Sequence, residues 1–199
     1  MEREAQFEAL AAEMRQCQRC LDAGFSITPG AIFAGSVAAR ILIAGQAPGI
    51  REAGSGPPFS GRAGRRLFQW LAQAGFDEAA FRKSQYITAI TKCFPGKQGG
   101  TRGDRLPSAV ERRLCAPFLE REIALVNPEI VVPVGCIATR VFLGVGSLVD
   151  QIGRSHRVNG RIVIPLPHPS GANLWLNRPE AQRMVTRALA ELRQAAWET

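Results

Sequence analysis

The chain has no apolar run near the roughly 20 residues that a membrane span needs. That excludes a helical membrane protein, and no membrane partner is expected. No secretory leader is visible, because Met1-Glu2-Arg3-Glu4 is charged and passes directly into a helical pattern. The expected compartment is the cytoplasm. Acid is the scarcer sign, with 17 acidic against 25 basic residues and a net charge of +8, which favours a polyanionic partner, nucleic acid first. A generally basic protein is the plainer alternative. Lysine is rare (Lys83, Lys92 and Lys97), so the basic surface is mostly arginine, whose guanidinium fork suits phosphate. Repeats, low-complexity tails and domain boundaries are lacking, so residues 1–199 read as one domain acting as a monomer, long enough for a sizeable core. Five cysteines, an odd number without a leader, argue against a disulfide framework.

What is present is organised around Gly45-Gln46-Ala47-Pro48-Gly49. Arg40-Ile-Leu-Ile-Ala44 before it is a short buried strand, and the loop that follows ends in Pro58-Phe59-Ser60-Gly61-Arg62-Ala63-Gly64. A helix then runs over about 62–74, with Gly75 as its stop. Such a strand–loop–helix junction in an open α/β sheet is where ligands bind. The loop 45–61 is too long and too rich in Gly and Pro to be a mere connector.

Elsewhere, apolar spacing predicts a helix over 2–16, an irregular stretch over 21–39, and a short helix over 78–83. Strands follow at 85–91, 128–135 and 161–167. Pro107 is expected in the first turn of a helix that turns Val110 and Leu114 inward, with Pro117 breaking it and starting another. Residues 136–143 form a helix closed by Gly144, 145–160 are partly irregular, and the last helix begins near Pro179. Strands alternating with helices imply an α/β fold, a three-layer α/β/α sandwich with a central four-stranded parallel sheet.

In that fold the loops 45–61 and 167–176 lie on one sheet edge. The first supplies backbone amides, Gln46, Glu52 and Phe59; the second supplies His168 and Ser170. An aromatic, a histidine and amides converging on one pocket suit a flat heteroaromatic ligand. Neither loop carries a convincing lysine for Schiff-base chemistry. Cys17-x-x-Cys20 with Cys93 and Cys115 suggests a four-thiolate site, either iron–sulfur or tetrahedral zinc, while Cys136 at a strand–helix junction reads as a buried thiol and His156 as a surface residue.

Gly45-Gln-Ala-Pro-Gly49, Gly56-Pro-Pro-Phe-Ser-Gly-Arg-Ala-Gly64 and His168-Pro-Ser170 resemble the two active-site motifs of the uracil-DNA glycosylase superfamily. Cys17, Cys20, Cys93 and Cys115 are similar to its iron–sulfur branch, often called family 4. The resemblance implies flipping of uracil from DNA, because the glycosidic bond is inaccessible in the stack, and hydrolysis of that bond to leave an abasic site. It implies a structural [4Fe–4S] cluster on the four cysteines, with zinc as the alternative. Phe59 then stacks on uracil, backbone N–H groups near Gln46 and Ala47 meet its oxygens, and His168 stabilises the departing anion. Glu52 is the candidate base or cation stabiliser, with Gln46 able to orient water where the branch often has an acid. Leu174, beside Asn173, is the wedge that fills the hole left by the base. Arg62, Arg65 and Arg66 are candidates for phosphate, or a solvated helical face.

Two departures stand out. The branch usually has an asparagine where this chain has Ala89, so Thr88, Thr91 or a backbone group would have to discriminate the base, or other deaminated bases such as hypoxanthine and xanthine are accepted. The segment from Cys93 to Cys115 also looks longer than in the branch, and it is basic, with Lys97, Arg102 and Arg105 against Asp104. It is a candidate DNA-phosphate contact or a solvated loop. A non-catalytic nucleic-acid-binding protein on the same fold is the rival from another class.

Overall fold

The computed structural model describes residues 1–54, 56–99, 103–144 and 146–197. The first half of the chain runs α1 (Glu2–Gln16), α2 (Arg19–Asp22), β1 (Ala34–Gly35), β2 (Ile41–Gly45), α3 (Ile50–Ala53), α4 (Arg62–Gln73), α5 (Glu78–Ser84) and β3 (Tyr86–Ala89). The second runs α6 (Ala109–Val126), β4 (Ile130–Pro133), α7 (Cys136–Leu143), α8 (Leu148–Gln151), β5 (His156–Val158), β6 (Arg161–Val163), a 3₁₀ turn at Leu174–Asn177 and α9 (Pro179–Trp197).

The sheet order is β1-β3-β2-β4-β6-β5. The four middle strands are parallel, as the strand–helix alternation predicts, but the sheet has six strands rather than four, because β1 and β5 add antiparallel edges. Both edges are short and weakly patterned. β1 is two residues long and includes Gly35, at φ 118°. β5 joins β6 through Asn159-Gly160, both at positive φ, which is the hairpin dipeptide that would have disclosed it in the sequence.

Each central strand is buried on both faces, so it reads as an unbroken apolar run. Ile41 and Ile43 of β2, with Ile130 and Val132 of β4, face a core shared with α4, α5 and α9. Leu42, Ala44 and Val131 face the opposite core, which contains Phe7 of α1 and Leu119 of α6. This alternation makes three layers. Since β3 lies on one side of β2 and β4 on the other, the chain reverses direction across the sheet at β2, and the crevice at such a switch point opens at the carboxyl end of the strand, at Gly45.

Three local expectations are corrected. The helix after the long loop starts at Ala109, capped by Ser108: its hydroxyl accepts from Glu111 N at 3.2 Å while Glu111 Oε2 accepts from Ser108 N at 2.8 Å. Pro107 therefore lies before the cap rather than in the first turn, and Val110 is exposed. Pro117 does not break the helix. It sits inside a continuous α6 on the exposed face, and burial of Cys115, Phe118 and Leu119 on the other face holds both halves in line. Cys136 is exposed rather than buried, because Gly135, at φ 90°, turns the chain so that the first residue of α7 points outward.

Candidate active site

The loop after β2 is held by a carboxylate. Glu52 is only 8% exposed, and its Oε2 accepts from Gly49 N at 2.9 Å, while Oε1 accepts from Ser60 N at 3.0 Å and Gly61 N at 3.1 Å. One side chain thus joins the two ends of the loop. Three backbone donors occupy most of its lone-pair directions, so Glu52 serves first as a brace.

Phe59 sits in the left-handed region at φ 56°, uncommon for a bulky residue. Arg82 of α5 holds it there, donating to the carbonyls of Pro58 at 2.7 Å and Phe59 at 3.0 Å while its guanidinium lies over the Phe68 ring. The Phe59 turn also lies against α4: a Cβ at Gly64 would stand 1.7 Å from the Phe59 carbonyl oxygen. At Gly45 it would stand 3.0 Å from Phe59 Cζ, so the ring covers the end of β2.

His168 leaves the sheet beyond β6 and packs on Gly135, where a Cβ would lie 3.3 Å from the histidine Cβ. Asn173 donates to the His168 carbonyl at 3.0 Å and so fixes the second loop. Burial pushes the His168 pKa below its ordinary value, which favours a neutral imidazole. Leu174, at 73% exposed, projects into solvent beside it.

These groups share one cavity of about 450 Å³. Gln46, Ala47, Glu52 and Phe59 of the first loop and His168 and Ser170 of the second line it, together with Arg62 of α4 and Ala89 of β3. Arg65, Arg66, Asn173 and Leu174 do not, although Ala172, just before the last two, does. Thr88 is on the wall, but its hydroxyl is engaged below the floor, donating to Glu122 at 3.0 Å and accepting from Lys92 Nζ at 2.8 Å. Thr91 leans on the Gln46 carbonyl at 3.5 Å. Neither hydroxyl is placed as a free reader of a base edge.

Sequence reasoning missed the pocket floor and one wall. Lys92 and Glu122 form a buried ion pair, 2% and 0% exposed, with N···O of 2.5 Å. Tyr86 donates to the same carboxylate at 2.8 Å, and Lys92 also meets the Ala89 carbonyl at 2.5 Å. Nothing in the periodicity marks this pair, since Lys92 lies just past a strand and Glu122 on the inner face of α6. The missed wall is Gly103, Asp104 and Arg105 from the long loop. Its cations are answered internally: Lys97 pairs with Asp104 at 2.7 Å, and Arg105 grips Glu111 through two bonds of 2.6 and 2.7 Å. Arg102 lies outside the described residues.

Cys17, Cys20, Cys93 and Cys115 line a second cavity, under α1 and α6, with Lys92 and Glu111 also in its wall. Burial pushes the thiol of Cys20 up to about 11 and that of Cys93 up to about 12, and it raises Cys115 as well. Among the described residues, no three His, Cys, Asp or Glu side chains are gathered closely enough to hold a single metal ion.

The family model described as the uracil DNA glycosylase superfamily matches residues 32–193. The chain belongs to that superfamily. Within it, the chain is similar to the type-4 uracil-DNA glycosylase of Thermotoga maritima, 29% identical over 192 residues that cover 92% of this chain and 90% of the relative. The type-4 enzyme of Sulfurisphaera tokodaii is also 29% identical, covering 95% of this chain and 84% of the relative. A type-5 uracil-DNA glycosylase of Pyrobaculum aerophilum is 29% identical over 81% of this chain and 73% of its own length. The two loops that carry the motifs meet in the pocket between Phe59 and His168.

Proposed function

We infer that the chain is a DNA repair glycosylase that takes uracil flipped from DNA and hydrolyses its N-glycosidic bond, leaving an abasic site. The observation that carries the reading is the meeting of two loops on one cavity, with the Phe59 ring across the end of β2 and a half-buried His168 facing it from the β6 side. A planar base slides under Phe59. The neutral imidazole of His168 donates to the oxygen on which negative charge grows as the bond breaks, so this stabilisation strengthens toward the transition state. The sugar is left as an oxocarbenium ion. Gln46, at the pocket wall, orients the water that captures it, and the Glu52 carboxylate, fixed by its three amide donors, holds the loop and places negative charge near the cation. Arg62 at the start of α4 meets a phosphate, and Leu174 enters the stack where the base has left.

Four thiols lining one cavity, with Lys92 and Glu111 also in its wall, suit an iron–sulfur cluster, with zinc as the alternative. In this reading Cys17, Cys20, Cys93 and Cys115 hold a [4Fe–4S] cluster that ties α1 and α2 to the segment after β3. The five cysteines are all unpaired, in keeping with a reducing cytoplasm.

A second reading, excision of hypoxanthine or xanthine, is favoured by one observation: Ala89 offers no side-chain amide and the Thr88 hydroxyl is committed to Glu122 and Lys92. Oligonucleotides carrying uracil, hypoxanthine, xanthine or thymine, incubated with purified protein and then cleaved by alkali, separate the readings. Strand scission at uracil alone supports the first; preferential scission at a deaminated purine supports the second; none at any base favours a non-catalytic binding protein.

A further inference from the structure

We propose that the groove between α7, α8 and β5 is a second anion subsite, which holds a backbone phosphate of the DNA strand beside the flipped nucleotide. The proposal rests on the glycosylase reading for the nature of the nucleic acid, but the groove is separate from the base pocket and shares no residue with it.

The sequence places Cys136, Thr139, Arg140 and Leu143 on one face of α7, at spacings of three and four. Across from them stand His156 and Arg157 of β5, and together they enclose about 270 Å³. Three observations assign an anion to this space. First, the described lining residues include two arginines and no carboxylate, although Arg157 also borders Glu191 on its other side. Arg140 and Arg157 are exposed and form no ion pair among the described residues, whereas Arg40, Arg82, Arg105 and Arg121 all do. Second, Thr139 is 4% exposed and its Oγ1 has no hydrogen-bond partner. A buried hydroxyl is nearly always satisfied, so an orphan facing a cationic groove marks a missing acceptor. Third, Nε2 of His156 is likewise enclosed and unpartnered; this residue is half-buried in β5, not on the surface as its sequence context suggests.

The chemistry is that of a phosphate: oxygens to take the Thr139 hydroxyl and an imidazole N–H beside the Arg140 guanidinium, with Arg157 of β5 also in the wall. Among the described lining residues there is no Phe, Tyr or Trp to stack a base, so a backbone phosphate fits better than a nucleobase. Position supports the same occupant. Gly135, the residue before α7, packs on His168, so the groove begins beside the pocket at the carboxyl end of the sheet. A strand that delivers its base to His168 passes its neighbouring phosphates over this region.

The test compares Arg140→Glu/Arg157→Glu with a charge-matched control, Lys83→Glu/Arg193→Glu. The control residues lie toward the opposite edge of the sheet: Lys83 just before β3, and Arg193 in the end of α9 that meets Arg40 ahead of β2. The probe is a labelled duplex carrying a 2′-fluorinated deoxyuridine that resists cleavage, with Kd measured against salt and phosphate contacts mapped by ethylation interference. The groove variant is expected to bind about 10-fold or more weakly, with the log–log salt slope reduced by about two. It should also lose interference at one or more phosphates flanking the lesion, while the control keeps them. Thr139→Val, which keeps the shape and removes the hydroxyl, should weaken the same footprint in a folded protein. Equal losses in both double variants, or an unchanged footprint in the groove variant, overturn the proposal. So does a groove that responds to inorganic phosphate in thermal shift while DNA affinity is unchanged, since that assigns a free anion. Excision of uracil with an unchanged footprint removes the subsite and leaves the glycosylase reading. A groove-dependent footprint without excision does the reverse.

Discussion

His168 shows how burial sets chemistry at one residue. Its depressed pKa means that the folded protein resists taking a proton that the unfolded chain accepts near the ordinary value of 6.5. The stability this group contributes is therefore complete above pH 6.5 and is lost as pH falls below it toward the folded pKa. The same shift keeps the neutral donor in place, so the acid limb of the single-turnover rate governed by His168 should fall below pH 6.5 in a pH–rate profile. His168→Asn should lower that rate by about 10²- to 10³-fold, the usual cost of removing a donor to developing charge. Leu174 gives a different signature. With its side chain in solvent, Leu174→Ala should leave stability almost unchanged and slow excision from duplex DNA more than from single strands, where no stack has to be refilled. At this scale the sequence was most legible: His168, Phe59, Gln46 and Ala89 all reach the one cavity, because motifs at strand ends are placed by the sheet itself. Glu52 was legible as important and not as a brace, since its three partners are backbone amides that have no sequence identity.

Among elements, the loop between β2 and α4 depends on contacts from outside it. Arg82 of α5 holds the carbonyls of Pro58 and Phe59, and Gly64 leaves room for the turn. Arg82→Ala should therefore weaken substrate binding through Phe59 without touching substrate, visible as a raised KM with the pH profile of His168 unchanged. Below the pocket, β3 is tied to α6 through Lys92, Glu122, Tyr86 and Thr88. Removing one partner of a buried pair strands the other charge, so Lys92→Met alone should cost about 3–5 kcal/mol in chemical denaturation. Lys92→Met with Glu122→Leu should recover much of that loss. The central strands and long helices were readable because apolar spacing is strong there. The edge strands and the persistence of α6 through Pro117 were not, because they are decided by neighbours: β6 supplies the ladder for β5, and the core under Phe118 and Leu119 outweighs the missing N–H.

For the whole molecule, the sheet places the two-loop pocket and the exposed Leu174 at its carboxyl edge, the groove of α7 runs from beside that edge along the helix to Gly144, and the cysteine cavity joins the amino-terminal helices to the segment after β3. The net charge of +8 was a fair guide to a polyanionic partner, but composition could not say which arginines are free to meet it. Several are committed to carboxylates, and the free ones near the pocket emerge only once the chain is folded. If the four cysteines carry a [4Fe–4S] cluster, purified protein is brown and contains iron and labile sulfide in near-equal amounts, and Cys93→Ala is colourless and less stable to heat. A colourless wild-type protein with one zinc per chain contradicts the cluster.

The central claim is that the two loops at the sheet edge form a pocket that cleaves uracil from DNA. Its most direct measurement is abasic-site formation under single turnover, on otherwise identical oligonucleotides with and without uracil, by wild type and His168→Asn. The account predicts alkali-labile scission at uracil only, slowed about 10²-fold or more by the substitution. Absence of scission at excess wild-type protein, or equal rates for the two proteins, contradicts it.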